Sequence, residues 1–191
     1  MSAAAERLRA AAAEIAADTG GRVLYATFDL EDCDAAAALV THAQSVMGGL
    51  DILVCNAGVN VKKKAIDFTP AEFDTVIGGN LRAYFLTAQA AARQFIRQGT
   101  GGVIVMNSSN ASVAAFEDLT PYCAAKGGVD MLVRSAPDGY NIMLSAASNV
   151  VGRQFLVKNT DYDAIRSFTP ITKVADTVLV IITNPDEPFN S

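Results

Sequence analysis

The 191-residue sequence has three cysteines, a single histidine and no apolar run approaching the roughly 20 residues that a membrane-spanning helix needs. Cys33, Cys55 and Cys123 are odd in number and show no C-x2-C spacing, so they outline neither a disulfide framework nor a zinc site, and a reducing cytosol suits them. His42 has no acid or thiol at triad or metal-ligand spacing; it reads as a surface residue, and no metal is expected. Excess positive charge is lacking too. A formal net charge of −5 and a pI near 4.8, with no basic stripe, argue against nucleic acid or an anionic membrane as the main partner. The acidic pairs Glu31-Asp32 and Glu117-Asp118 are adjacent in sequence and do not suggest paired-carboxylate catalysis. Also absent is any glycine-rich phosphate cradle: Gly20-Gly21, Gly48-Gly49 and Gly78-Gly79 all lack the G-x-G-x-x-G spacing after a strand.

What is present describes one packed domain. Hydrophobic residues make up 51% of the chain, enough for a sizeable core at this length. The Ala-rich start carries Leu8, Ala12 and Ile15 at helical spacing and stops at Gly20-Gly21, which predicts a surface helix rather than a targeting segment. Arg22 to Phe28 reads as a short strand. A helix is expected from about Asp34 to Met47, then a buried strand at Asp51 to Cys55 that opens into Asn56-Ala57-Gly58. Thr69, Pro70 and Glu72 spell an N-cap, a first helical residue and a capping-box partner. A long helix follows from about Leu81 to Gln98, and Gly99 to Gly102 turn the chain into a second apolar strand, VIVMNS. Strand and helix alternate, which predicts a doubly wound α/β sheet with ligands at the carboxyl ends of the strands. Beyond Ser135 the expectations are a turn at 136–139, a strand within Asn141 to Ala147, and a helix over Asp161 to Phe168. The run VADTVLVIIT stays open between helix and strand.

The chemistry gathers between Val103 and Val133. Tyr122 and Lys126 are spaced i, i+4, so a helix there places them on one face about one turn apart. An ammonium beside a phenol favours the phenolate. Ser109 directly follows the VIVMNS run, where a strand delivers its hydroxyl to the rim of a sheet. The three read as a proton donor, the cation that tunes it, and a hydroxyl able to hold a carbonyl oxygen. Each also has a plainer reading: an interfacial aromatic, a solvated lysine and a strand-end cap.

These residues, together with Asn56-Ala57-Gly58 and Asn80 in GGNLRAYF, resemble the short-chain dehydrogenase/reductase family, closely over residues 1–135 and loosely over 136–191 as part of one domain. The resemblance implies a Rossmann-like fold and hydride transfer between NAD or NADP and an alcohol or carbonyl. It implies Asn80, Ser109, Tyr122 and Lys126 as the catalytic set. Asp29, Leu30, Asn56, Ala57 and Gly58 would contact the cofactor alongside Tyr122 and Lys126, with Asp29 equally readable as a helix cap. Lys126 would hold the nicotinamide ribose and Asn80 a water that relays protons. The stretch from Asn56 through Lys62, Lys63 and Lys64 to Asp74 looks like members acting on sugar acids or polyols. The family's helices at 81–98 and 122–135 pack against a second subunit, so a cytoplasmic homo-oligomer is implied.

The family's first strand with its TGxxxGxG loop, its second strand and its last strand have no counterpart in the sequence, so the expected sheet is truncated at the N-terminus and degenerate at the C-terminus. Arg22 to Phe28 would then pair directly with Asp51 to Cys55 or stay detached, and either outcome predicts marginal stability or self-association. Two functions follow: an oxidoreductase of the short-chain type, or a non-catalytic remnant acting as an interaction or dimerisation protein.

Overall fold

The computed structural model describes residues 3–29, 31–135 and 141–144, with the backbone alone for residues 3, 4 and 141–144. Leu30, the 136–139 turn and everything expected beyond Leu144 lie outside the described residues. Among the described residues five α-helices and three strands follow one another: α1 (Ala3–Thr19), α2 (Ala35–Met47), β1 (Ile52–Cys55), α3 (Pro70–Ile77), α4 (Ala83–Gln98), β2 (Val103–Asn107), α5 (Thr120–Ser135) and β3 (Asn141–Leu144). The strands form one parallel sheet in the order β1-β2-β3, with Leu53 opposite Ile104 and Met106 opposite Met143.

The helix starts follow from their first residues. The Thr69 hydroxyl accepts from the Glu72 amide, while the Glu72 carboxylate accepts from the Thr69 amide, a closed capping box with Pro70 where its missing N–H costs nothing. The Gly48 and Gly99 amides cap α2 and α4 at positive φ, 86° and 72°, where a side chain would be strained. α3 and α4 are one continuous helix interrupted by a π-helical turn at Gly78–Arg82. Asn80 sits in that turn, a local widening that recurs at functional sites.

The core lies on one face of the sheet. Leu53, Cys55, Ile104 and Met106 point the same way by strand alternation and meet Tyr84, Ala88, Ala91 and Phe95 of α4, with Val40 of α2 and Val129 of α5 closing the layer. Alanines along α4 let the helix come close, and Phe95 fills the remaining space.

The opposite face is open among the described residues. Ile52 is 61% exposed and Val54 57%. This departs from the expectation of a strand buried on both sides. The segment Arg22 to Phe28 forms no strand: it takes the second of its two available courses and stays detached, with Leu24 and Tyr25 exposed. No neighbour supplies it with a ladder, and its ties are to α2 instead, through Phe28 against the His42 ring and Arg22 Nη2 donating to the Val46 carbonyl. What the described residues show is therefore a small parallel α/β sheet covered on one side by α4 and α5, with α2 packed against α4.

Candidate functional site

The site forms where β1 and β2 end, as parallel topology requires. Both strands deliver asparagines there, and the Asn107 amide donates to Asn56 Oδ1 at 2.7 Å, tying the two loops together. Two residues beyond Asn107, Ser109 caps a short 3-10 turn at Asn110–Ser112, its hydroxyl accepting from the Ala111 amide. The plainer reading of Ser109 as a strand-end cap thus holds, and its place at the rim of the sheet is as expected.

α5 brings Tyr122 and Lys126 to this rim, one turn apart. Lys126 is 3% exposed. Its ammonium donates to the Asn107 carbonyl at 2.8 Å and to the Tyr84 hydroxyl at 3.3 Å, and lies 4.7 Å from the Tyr84 ring centre and 5.8 Å from that of Tyr122. A solvated lysine is thereby ruled out. Burial pushes its pKa down, opposed by the charge of Asp130 and then by Cys55. Burial also raises the Cys55 thiol to about 11 and the Tyr84 phenol to about 12.

Asn80 is fully buried. Its amide donates to the Val59 carbonyl at 2.6 Å and to that of Val76 at 2.8 Å, so both hydrogens are committed to bracing the loop after β1 against the helix. Its Oδ1 has no hydrogen-bond partner and faces Gly58, where a Cβ would stand only 2.6 Å away. Gly58 is required by this contact as much as by any cofactor. Asp29 stands apart on the exposed 20–29 segment, its carboxylate accepting from the Glu31 amide in a local turn.

Of the lysine run, Lys62 and Lys64 face solvent, whereas Lys63 pairs with Glu72 at 2.6 Å. The Lys63 and Thr69 hydrogen bonds hold the Glu72 carboxyl at about 2, below its usual 4.5. Glu72 therefore contributes stability above about pH 4.5 that is lost as pH falls toward 2, and Glu72→Gln removes that dependence; following the Glu72 side-chain carbon by NMR through an acid titration checks it.

Three contributors went unnoticed in the sequence. Tyr84 reads there as one more aromatic of the α4 stripe, Cys55 as a buried strand residue, and Asp130 as a helix acid. The signal for Asp130 was available, since it follows Lys126 at the same i, i+4 spacing that singled out Tyr122.

A nicotinamide dinucleotide has a reacting end and a phosphate end. Tyr122, Lys126, Ser109 and the Asn56 loop suit the first. The second does not fit the described residues: β1 leads through an extended loop to a 3-10 turn at Ala65–Asp67, and β2 to the one at Asn110–Ser112, neither being a glycine-rich turn into an α-helix. Among the described residues no cluster of three or more His, Cys, Asp or Glu could hold a metal ion, and no helix is long and apolar enough to cross a membrane.

Residues 1–143 match the family model described as short chain dehydrogenase, and residues 123–191 match that of the tripartite tricarboxylate transporter family receptor. A 2-dehydro-3-deoxy-D-gluconate 5-dehydrogenase of Dickeya dadantii (strain 3937) is 38% identical over 115 residues, 60% of this chain and 46% of that protein. A glucose 1-dehydrogenase of Gluconobacter oxydans (strain 621H) is 32% identical over 61% of this chain and 44% of its own. The chain thus spans about half the length of the curated relatives it matches. A metagenomic short-chain oxidoreductase crystallised with NADP superposes with a TM-score of 0.69 at 33% identity, over 75% of this chain and 67% of that one.

Proposed function

Since the chain belongs to the short-chain dehydrogenase family, we propose that it serves NAD(P)-dependent exchange between an alcohol and a carbonyl, with Tyr122 as the proton donor and acceptor. The observation that carries this reading is the buried Lys126 ammonium, anchored to the Asn107 carbonyl and the Tyr84 hydroxyl within reach of the Tyr122 ring. A buried charge is costly and is kept where it does chemistry. NAD or NADP, held at its nicotinamide end by Tyr122, Lys126 and the Asn56 loop, would supply or accept the hydride. Tyr122 passes a proton to the carbonyl oxygen in reduction and removes it in oxidation. Ser109, on the capped turn, hydrogen-bonds that oxygen as charge develops. Asn80 holds the β1 loop in place, and Asn56 to Gly58 line the approach; Asp29 and Leu30 would meet the adenine end. The substrate class is a sugar acid or polyol: gluconate-type dehydrogenases are among the relatives, and Lys62 and Lys64 offer exposed positive charge near the loop.

A second reading, a non-catalytic interaction or dimerisation protein, has its own support. α3, the π-helical turn, α4 and α5 flank an open, largely apolar groove of about 460 Å³ lined by Ile77, Leu81, Arg82, Phe85, Met131 and Leu132, with Phe85 and Met131 half exposed. Titrating the purified chain with NADH and NADPH while following nicotinamide fluorescence separates the two. Saturable binding is expected under the oxidoreductase reading. Absence of binding at millimolar cofactor, with dimers seen by light scattering, would leave the interaction reading.

A further inference from the structure

Lys126 is the one charged side chain buried among the described residues, and no carboxylate among them lies within ion-pair distance of it. Its surroundings are instead built from the end of β2. Asn107 gives its carbonyl to the ammonium. The next residue, Ser108, only 7% exposed, turns its hydroxyl the other way and donates to Asp130 Oδ1. Asp130 stands one turn beyond Lys126 on α5, as Lys126 stands one turn beyond Tyr122. Two consecutive residues of one strand end therefore grip an ammonium and a carboxylate that share a helix face.

We propose that Asp130, clamped by Ser108, is a positioning residue for Lys126: it is the counter-anion of the buried ammonium, acting through space across one helical turn. The groups facing Lys126 are Cys55 at the end of β1, Tyr84 on α4, and Tyr122 and Asp130 on α5. Burial raises the Cys55 thiol to about 11 and the Tyr84 phenol to about 12, so neither brings negative charge at neutral pH. Asp130 is the carboxylate of the set. At one helical turn in a partly buried setting, a full charge changes a neighbour's ionisation by about tenfold. A staple between β2 and α5 would use the same Ser108 bond and no charge, which makes the two roles separable.

This inference rests on Lys126 belonging to the proton-transfer group. Its test is a titration of the full chain labelled with 13Cε-lysine and read by NMR without cofactor. Asp130→Asn keeps the shape and an acceptor for Ser108 but removes the charge. The Lys126 midpoint is expected to fall by about one pH unit, leaving about tenfold more neutral amine at a given pH, with Asp130→Glu restoring the wild-type midpoint. An unchanged midpoint in a folded Asp130→Asn protein overturns the proposal. Should that variant not fold, Asp130→Ser, which removes the same charge, is titrated in its place, and an unchanged Lys126 midpoint there overturns the proposal equally. Failure to bind NADH would defeat the oxidoreductase reading and leave this result standing.

Discussion

Asn80→Ala is expected to destabilise the protein by about 3 kcal/mol, seen as a fall in the urea midpoint at constant slope. The amide joins two carbonyls, Val59 in the loop after β1 and Val76 in the last turn of α3. Removing it takes a hydrogen bond from each at a fully buried position, where a lost bond costs about 1–3 kcal/mol, and frees the loop that presents Asn56 to Gly58. Gly58→Ala attacks the same joint from the other side, because its new Cβ would meet Asn80 Oδ1 at 2.6 Å. Alone it should cost about 2 kcal/mol through overpacking. In the Asn80→Ala background that cost should drop below about 1 kcal/mol, since the obstructing oxygen is gone. Strictly additive costs in the double variant would show that the two residues do not bear on each other.

Phe95→Ala carries the other large effect, a loss of about 4 kcal/mol. Phe95 is 5% exposed in the layer between α4 and the sheet, and the alanines around it carry only a methyl group with which to close the void. Against a typical stability of about 5–15 kcal/mol this removes a large share, and thermal melts should show it directly. Val54→Thr on the other face should shift stability by no more than about 0.5 kcal/mol, because Val54 is already 57% exposed. Comparable losses at both positions would mean that the open face is covered in solution, by another copy or by other parts of the chain.

Local signals proved legible where the chain settles its own ends. Thr69, Pro70 and Glu72 announce a capping box and form one, and the Gly48 and Gly99 stops lie where glycine alone tolerates the turn. The i, i+4 spacing of Tyr122 and Lys126 likewise survives, because α5 forms over the expected residues. Signals that depend on partners were less secure. Arg22 to Phe28 has the composition of a strand, yet a strand is made by its neighbour's hydrogen bonds, and none is offered there. The sequence pattern places Asn80 near the site but does not reveal that its hydrogens go to carbonyls on both sides. Nor does it reveal that Lys126 is buried, since burial is decided by Tyr84, 42 residues away in sequence. The π-helical turn escaped as well: the long helix is expected to begin at about Leu81, whereas it runs on from α3 through Gly78-Gly79 with one widened turn.

The parallel register also has a consequence in time. Ile52 pairs with Val103, 51 residues further along, and Ile104 with Asn141, so neither of these ladders joins residues close in sequence. Each ladder must close a long loop before its first hydrogen bond forms, while α3 and α4 need only contacts a few residues away. The helices therefore precede the sheet in folding, and until β2 docks, Phe95, Ile104 and Met106 stand in water together with the face that is open among the described residues. Yield on refolding should depend on protein concentration through that interval more than on the final stability of the folded chain.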